Sequence, residues 1–307
     1  MIATTNATDI LWLDDPACED PSQVGGKAAH LSRLAADYRV PSGFCLTAAA
    51  FDPAHPTDAP LPTALTAALA AAYETLSHRG GVTNVPVAVR SSALDEDGNL
   101  ASFAGQHETE LNLTGIDAVL GAIVRCWASG RNERALAYRE QHGLTLEEAR
   151  VAVLVQQLVL ADVSAVVFSA NPVTKNLDEV VVTSTWGLGE SLVGGTATPD
   201  TWVVNKGDLA VLEKQVGAKK RMTVAVKGGT KEVSVPRLLR ERATLSEAQV
   251  VELAKLAVGL EKRFGSPVDV EVAYASEELF LLQCRPITTI DEVGVTPVAD
   301  KLTTGSI

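Results

Sequence analysis

Residues 265–288 constrain the fold more tightly than any other stretch, because their side chains alternate as only a hairpin allows. Val268, Val270, Val272 and Tyr274 alternate with Asp269, Glu271 and Ala273, the period of a half-buried strand. Ser276, Glu277 and Glu278 predict a three-residue turn. A second strand follows over 279–285, and Pro286 ends it because proline has no N–H for a ladder. In this register Val272 faces Leu282, Val270 faces Cys284, Glu271 faces Gln283 and Asp269 faces Arg285. A slip of one residue would scatter the four polar groups over both faces. One hairpin face therefore gathers two carboxylates, an amide oxygen and a guanidinium. Glutamate and glutamine oxygens suit hard Mg²⁺, and arginine can grip a phosphate with two donors. A solvated polar face is the alternative reading of the same four residues.

The chain has 307 residues, enough for one large domain or for two lobes with sizeable cores. Its net charge of −12 argues against nucleic acid as the main partner, since phosphate backbones need a basic surface. The four cysteines, Cys18, Cys45, Cys126 and Cys284, form no Cys-x-x-Cys pair, so neither a zinc site nor a disulfide framework is expected and a reduced cytoplasmic setting is. The apolar run 151–168 is interrupted by Gln156, Gln157, Asp162 and Ser164, which predicts no membrane span there.

Taken in order, residues 10–13 read as a short strand. Gly25-Gly26-Lys27 then opens a helix with Leu31, Leu34, Ala35 and Tyr38 at helical spacing. Paired glycines let backbone amides approach an anion, the helix dipole favours negative charge there, and Lys27 adds a full positive charge. The alanine after Lys27 excludes a Walker loop. A strand at 85–90 ends in Arg90-Ser91-Ser92, a plausible phosphate contact or a surface ion pair with Asp95 or Glu96. Ser102-Phe103-Ala104-Gly105-Gln106 reads as a loop able to close over a ligand, with His107 beside it. Helices are expected over 65–77, 116–128 and 132–141. Strands are expected over 152–160, whose edge at Gln156-Gln157 could meet a base, and over 164–169, 180–183 and 202–204. Gly187-Leu188-Gly189-Glu190 turns into a short helix, and Lys214, Lys219, Lys220 and Arg221 read as a solvated basic loop. Ser246 caps a helix reaching Phe264. Residues 291–307 read as a tail or linker. The mixture predicts an α+β protein of two lobes, 1–157 and 158–290.

Six motifs stand in one order: Gly25-Gly26-Lys27, Arg90-Ser91-Ser92, Ser102-Phe103-Ala104-Gly105-Gln106, Gly187-Leu188-Gly189-Glu190, Asp269-Val270-Glu271 and Gln283-Cys284-Arg285-Pro286. Together they resemble the nucleotide-binding domain of the phosphoenolpyruvate synthase, pyruvate phosphate dikinase and rifampicin phosphotransferase family, over about residues 10–290. The resemblance implies a two-lobed ATP-grasp fold with ATP in the cleft between lobes. It implies that Gly25, Gly26, Lys27 and Arg90 hold the phosphates and that Ser102, Phe103, Ala104, Gly105 and Gln106 cover them. It further implies that Gln156, Gln157, Val159 and Glu190 contact the nucleotide, that Glu271 and Gln283 bind Mg²⁺, and that Arg285 holds a phosphate. The chain departs from the family pattern at Ser164-Ala165-Val166-Val167-Phe168-Ser169-Ala170-Asn171-Pro172, where relatives usually show Ser-Gly-Val-x-Phe-Thr-x-Asp-Pro.

Three functions follow as expectations. One is an ATP-dependent phosphotransferase component that passes a phosphoryl group to a histidine on a separate protein or domain, with AMP and phosphate as products. Another is a kinase of a small-molecule acceptor in a biosynthetic or resistance pathway. The third is an ATP-binding subunit without catalysis, a role that has no need of Glu271 and Gln283 as a metal pair. The five histidines, His30, His55, His78, His107 and His142, lack the Gly-Gly and Ser/Thr-rich context of a phospho-accepting histidine, so the acceptor is expected from outside this chain.

Overall fold

Alternating apolar positions build two antiparallel sheets. The computed structural model describes residues 9–51, 59–94, 109–129 and 150–287. Strands β1 (Ile10–Trp12), β2 (Gly43–Leu46), β3 (Val87–Ala93), β4 (Thr109–Leu113) and β5 (Val151–Gln157) form a five-stranded sheet in the order β1-β2-β5-β3-β4. Strands β6 (Val163–Phe168), β7 (Glu179–Trp186), β8 (Asp200–Asn205), β9 (Val211–Gln215), β12 (Val268–Ala275) and β13 (Glu278–Pro286) form a six-stranded sheet in the order β13-β12-β6-β7-β8-β9. Between β9 and β12 in sequence, β10 (Arg221–Val226) and β11 (Gly229–Ser234) make a separate hairpin. The helices are α1 (Pro21–Leu34), α2 (Thr63–Arg79), α3 (Ile116–Ser129), α4 (Glu190–Val193) and α5 (Glu247–Phe264). This is the expected α+β mixture. No helix among the described residues is long and apolar enough to cross a membrane.

The period of two divides the core. Val151, Val153 and Val155 of β5 join Phe44, Leu46, Val87 and Val89 on one face of the five-stranded sheet, under α2 and α3. Ala152 and Leu154 point the other way with Cys45, onto Val24, Ala28, Leu31 and Leu34 of α1. That second cluster runs on without a break into Ala165, Val167, Val268, Val270 and Val272 of the six-stranded sheet and Leu253, Ala257 and Leu260 of α5. Helix α1 therefore shares one core with both sheets.

The cap of α5 forms as expected: Ser246 Oγ accepts from the Gln249 N–H, and the Gln249 side chain accepts from the Ser246 N–H. Strand β3 runs past Arg90, since Ser91 and Ser92 stay in the ladder opposite Val153 and Ala152. The basic loop expected around 214–221 is a misreading. Lys214 lies in β9, Arg221 opens β10, and Lys219 is fully buried. The Lys219 ammonium donates to the fully buried Asp200 carboxylate and to the Gly217 carbonyl at 2.9 Å. The second Asp200 oxygen accepts from the backbone and hydroxyl of Thr244 at 2.7 and 2.9 Å. A buried charge survives only when paired and fully hydrogen-bonded, and this one is.

The opening hairpin keeps its polar register by a different route from the one expected. Asp269 pairs with Arg285, Val270 with Cys284 and Glu271 with Gln283, but Val272 faces Leu281 rather than Leu282. The turn has two residues, Ser276 and Glu277, with φ of 50° and 68°, and Ala275 pairs with Glu278. Two-residue turns with positive φ match the twist of their strands, which a three-residue loop does less well. A β-bulge at Leu282 then absorbs the residue the shorter turn releases. The expected helix 132–141, the loop 102–106, His107 and the tail 291–307 lie outside the described residues.

Candidate functional site

A cavity of about 400 Å³ lies between the two sheets. From the five-stranded sheet it is lined by Ala88 and Arg90 of β3, Thr109 and Leu111 of β4, and Gln156 and Gln157 of β5 with Leu158 and Val159 behind them. The facing wall is Ser164 and Val166 of β6, Glu271 of β12, and Leu282 and Gln283 of β13. Residues 188–194, leading into and through α4, supply the remaining wall, including Glu190.

The six-stranded sheet presents this wall because its other face is core. Val270, Val272 and Cys284 point into the apolar cluster, so Glu271 and Gln283 point away from it, directly opposite one another. Side chains so paired stand about 5 Å apart at Cβ. Asp269 and Arg285 form the next pair on this face. The Arg285 Nε and Nη2 both donate to Asp269 Oδ2, at 3.0 and 2.8 Å. Asp269 Oδ1 is buried and makes no hydrogen bond among the described residues. Burial pushes the Asp269 carboxyl above the usual carboxylate range, against the opposing pull of the Arg285 guanidinium. On the cavity wall itself, the Glu271 carboxylate and the Gln283 amide oxygen are donors of the kind that suit a hard divalent cation. Asp269 lies beside this pair and does not line the cavity. Its place on the face was legible, and its second oxygen was hidden behind the expected pairing with Arg285.

Arg90 reaches this wall from the opposite sheet. Its Nη1 donates to the Leu282 carbonyl at 3.1 Å, and its Nε is buried without a partner among the described residues. The bulge makes that contact available, since the extra residue turns a carbonyl out of the regular ladder. A bulge has no local sequence signature, and this one was not expected.

Gly25, Gly26 and Lys27 do not line the cavity but sit two residues from Arg90 along β3. Helix α1 breaks at Gly25, with φ 75° and ψ 167°, so the longer helical run begins after it. A Cβ on Gly25 would lie 2.4 Å from both the carbonyl oxygen and Oγ of Ser92, and the Ala28 N–H donates to Ser92 Oγ at 3.3 Å. The turn carrying Lys27 is thereby pressed onto the end of β3. Arg285 likewise lies off the cavity wall, as does its partner Asp269.

Gln156, Gln157 and Val159 do line the cavity. Gln156 is buried and its Nε2 donates to the Pro41 carbonyl at 3.1 Å, which fixes the amide. The Gln157 and Leu158 N–H groups donate to the Ser42 and Pro86 carbonyls, both at 2.8 Å. Glu190 is exposed at the start of α4, after a glycine-rich turn in which Gly187 has φ 76°. The departures at 164–172 are absorbed locally. The Ala165 methyl enters the core, Ser169 Oγ accepts from the Val268 N–H at 2.8 Å, and Asn171 Oδ1 accepts from the N–H groups of Val173 and Thr174.

Comparison with known proteins adds an independent finding. A family model described as pyruvate phosphate dikinase, AMP/ATP-binding domain, matches residues 54–305. The chain is similar to a probable phosphoenolpyruvate synthase of Methanocaldococcus jannaschii, 38% identical over 92% of this chain and 27% of that protein. It is similar to the phosphoenolpyruvate synthase of Pyrococcus furiosus, 38% identical over 79% of this chain and 31% of that protein. A rifampicin phosphotransferase of Streptomyces sviceus is 37% identical over 88% of this chain and 35% of that protein. The chain thus spans only 27% to 35% of the length of these three relatives.

Proposed function

The chain belongs to the pyruvate phosphate dikinase AMP/ATP-binding domain family, and from that premise we propose that it binds MgATP in the cavity between its sheets as an ATP-dependent phosphotransferase component. The acceptor is a histidine on a separate protein or domain of a phosphoenolpyruvate-synthase-like system, and the products are AMP and phosphate. In this reading residues 1–157 and 158–290 are the two lobes of an ATP-grasp fold, residues 291–307 are a tail, and the setting is cytoplasmic. The observation that carries the proposal is the convergence of Arg90 from one sheet with Glu271 and Gln283 from the other on a single cavity.

Phosphoryl transfer asks chiefly for positioning and for charge neutralisation. Arg90, held toward the cavity through Leu282, takes a phosphate oxygen. Lys27 and the amides of Gly25 and Gly26 approach from the end of β3, and Arg285 does so from beside Asp269. The loop 102–106 covers the phosphates. Gln156, Gln157 and Val159 receive the base, and Glu190 faces the nucleotide from the glycine-rich turn. Glu271 and Gln283 would hold Mg²⁺, which would neutralise phosphate charge there. The acceptor nitrogen attacks the β-phosphorus, the bond to the oxygen bridging the α- and β-phosphorus breaks, and its electron pair leaves on AMP; water then cleaves the terminal phosphate from the pyrophosphorylated histidine, which leaves phosphate and a phosphohistidine.

The test supplies the purified chain with ATP and Mg²⁺, alone and with a separately expressed histidine domain of a phosphoenolpyruvate-synthase-like protein, and measures AMP against ADP. AMP formation accelerated by that domain is the expected result. ADP formation that depends on a small molecule supports the second reading, a small-molecule kinase, which the similarity to a rifampicin phosphotransferase favours. ATP binding with no turnover under any acceptor would make the chain a non-catalytic subunit.

A further inference from the structure

The β10–β11 hairpin touches both walls of the cavity, and none of the six motifs includes it. At its base, the Leu188 N–H donates to the Thr223 carbonyl of β10 at 2.9 Å. The preceding Gly187 fits only because it lacks a Cβ, which would stand 2.3 Å from that same carbonyl oxygen. Leu188, Gly189 and Glu190 go on to line the cavity. The base of the hairpin is therefore fixed to one cavity wall.

Its tip is fixed to the other. Val226 pairs with Gly229 across the tight turn of the hairpin. The Asn112 side chain of β4 donates to both of their carbonyls, each at 2.6 Å. Asn112 is buried, and its φ is 59°, a left-handed conformation that asparagine adopts more readily than most residues. The pairing of β3 with β4 slips here: Val87 faces Leu113 while Val89 faces Glu110, so Leu111 and Asn112 together oppose one residue. Such a bulge re-aims a side chain out of the ladder. It leaves Thr109 and Leu111 on the cavity wall and turns Asn112 to the hairpin tip. The amide orientation follows from chemistry, because the flipped amide would set its oxygen against two carbonyls.

We infer that the β10–β11 hairpin is a strap joining the two cavity walls and that Asn112 is its latch, a positioning residue that sets how long a nucleotide stays bound. The strap spans from the glycine-rich turn beside Glu190 to the strand that carries Thr109 and Leu111. With the latch made, the walls are held together across the cavity. With it broken, residues 188–194 part from β4 and the nucleotide escapes. The inference rests on the nucleotide reading of the cavity.

The experiment uses the full chain and two variants, Asn112→Gly and Asn112→Asp. Glycine keeps the left-handed backbone and removes the amide. Aspartate keeps the shape and turns a carboxylate onto the two carbonyls. Each protein is loaded with a fluorescent ATP analogue and Mg²⁺, and release is followed after mixing with excess unlabelled ATP. Hydrogen exchange over residues 221–234 is read on the nucleotide-free proteins. Release roughly tenfold faster in both variants, as for loss of one or two ordinary hydrogen bonds, is expected. Faster exchange over 221–234 is expected with it, while the association rate stays near wild type. Normal loading with unchanged release and unchanged exchange in both variants overturns the strap alone. Failure of the wild-type chain to take up the analogue overturns the nucleotide reading and, with it, the role of the strap in retention.

Discussion

Glu271 and Gln283 stand opposite each other with their backs to the core, so changing either one alters the cavity wall and little else. Glu271→Ala should abolish turnover while ATP binding persists, since Arg90 and Gln156 remain. Turnover measured against equilibrium binding of a labelled nucleotide checks this, and wild-type turnover in the variant would remove Glu271 from the site. Two glycines offer a cleaner energetic comparison. Gly25 and Gly81 have φ of 75° and 68°, so alanine at either costs about 1–3 kcal/mol of backbone strain. A Cβ at Gly81 meets nothing within 4 Å, whereas one at Gly25 meets the Ser92 backbone at 2.4 Å. Gly25→Ala should therefore lower the unfolding midpoint distinctly more than Gly81→Ala. Equal midpoints would mean that the turn bearing Lys27 is not pressed onto β3.

At the scale of elements, the bulge in β13 makes a prediction of its own. Leu282 is the residue without a partner, between Leu281 opposite Val272 and Gln283 opposite Glu271. Its deletion closes the ladder without reversing any side chain, so Gln283 still faces Glu271 and Cys284 still enters the core. The carbonyl that holds Arg90 is lost. The deletion variant should unfold near the wild-type midpoint yet turn over ATP more slowly, and unchanged turnover would show that Arg90 needs no anchor. This element also marks what was legible. Strict alternation of valines with Asp269 and Glu271 fixed the face, and the polar pairs followed from it. The bulge and the two-residue turn compensate each other, so the pairs were placed correctly while the turn was not. Residues 211–234 were illegible for another reason. Three neighbouring cations at 219–221 read as solvated, and nothing local in the sequence says that Asp200 lies beneath Lys219. Asn112 was invisible likewise, because its partners lie more than a hundred residues away.

For the whole molecule, the division of the core decides how the cavity can close. Two lobes with separate cores would move as rigid bodies about a linker. Here the apolar cluster around α1 is continuous from Leu11 and Leu154 in one sheet to Val270 and Cys284 in the other. Close-packed interiors do not deform gradually, so this shared core acts as a fixed pivot. The movable parts are the cavity-side edges: β4, residues 188–194 and the hairpin that joins them. If a nucleotide draws Arg90 and the face bearing Glu271 toward its phosphates, those edges should approach while the core holds still. Small-angle scattering of the full chain with and without a MgATP analogue should then show a modest fall in the radius of gyration. Hydrogen exchange should slow over 109–113 and 188–194 and stay unchanged over α1. Slowed exchange throughout α1 would mean that the whole core tightens and that the pivot is wrong. An unchanged scattering profile at saturating analogue, with exchange unaltered at both edges, would mean that the walls already stand at their bound separation.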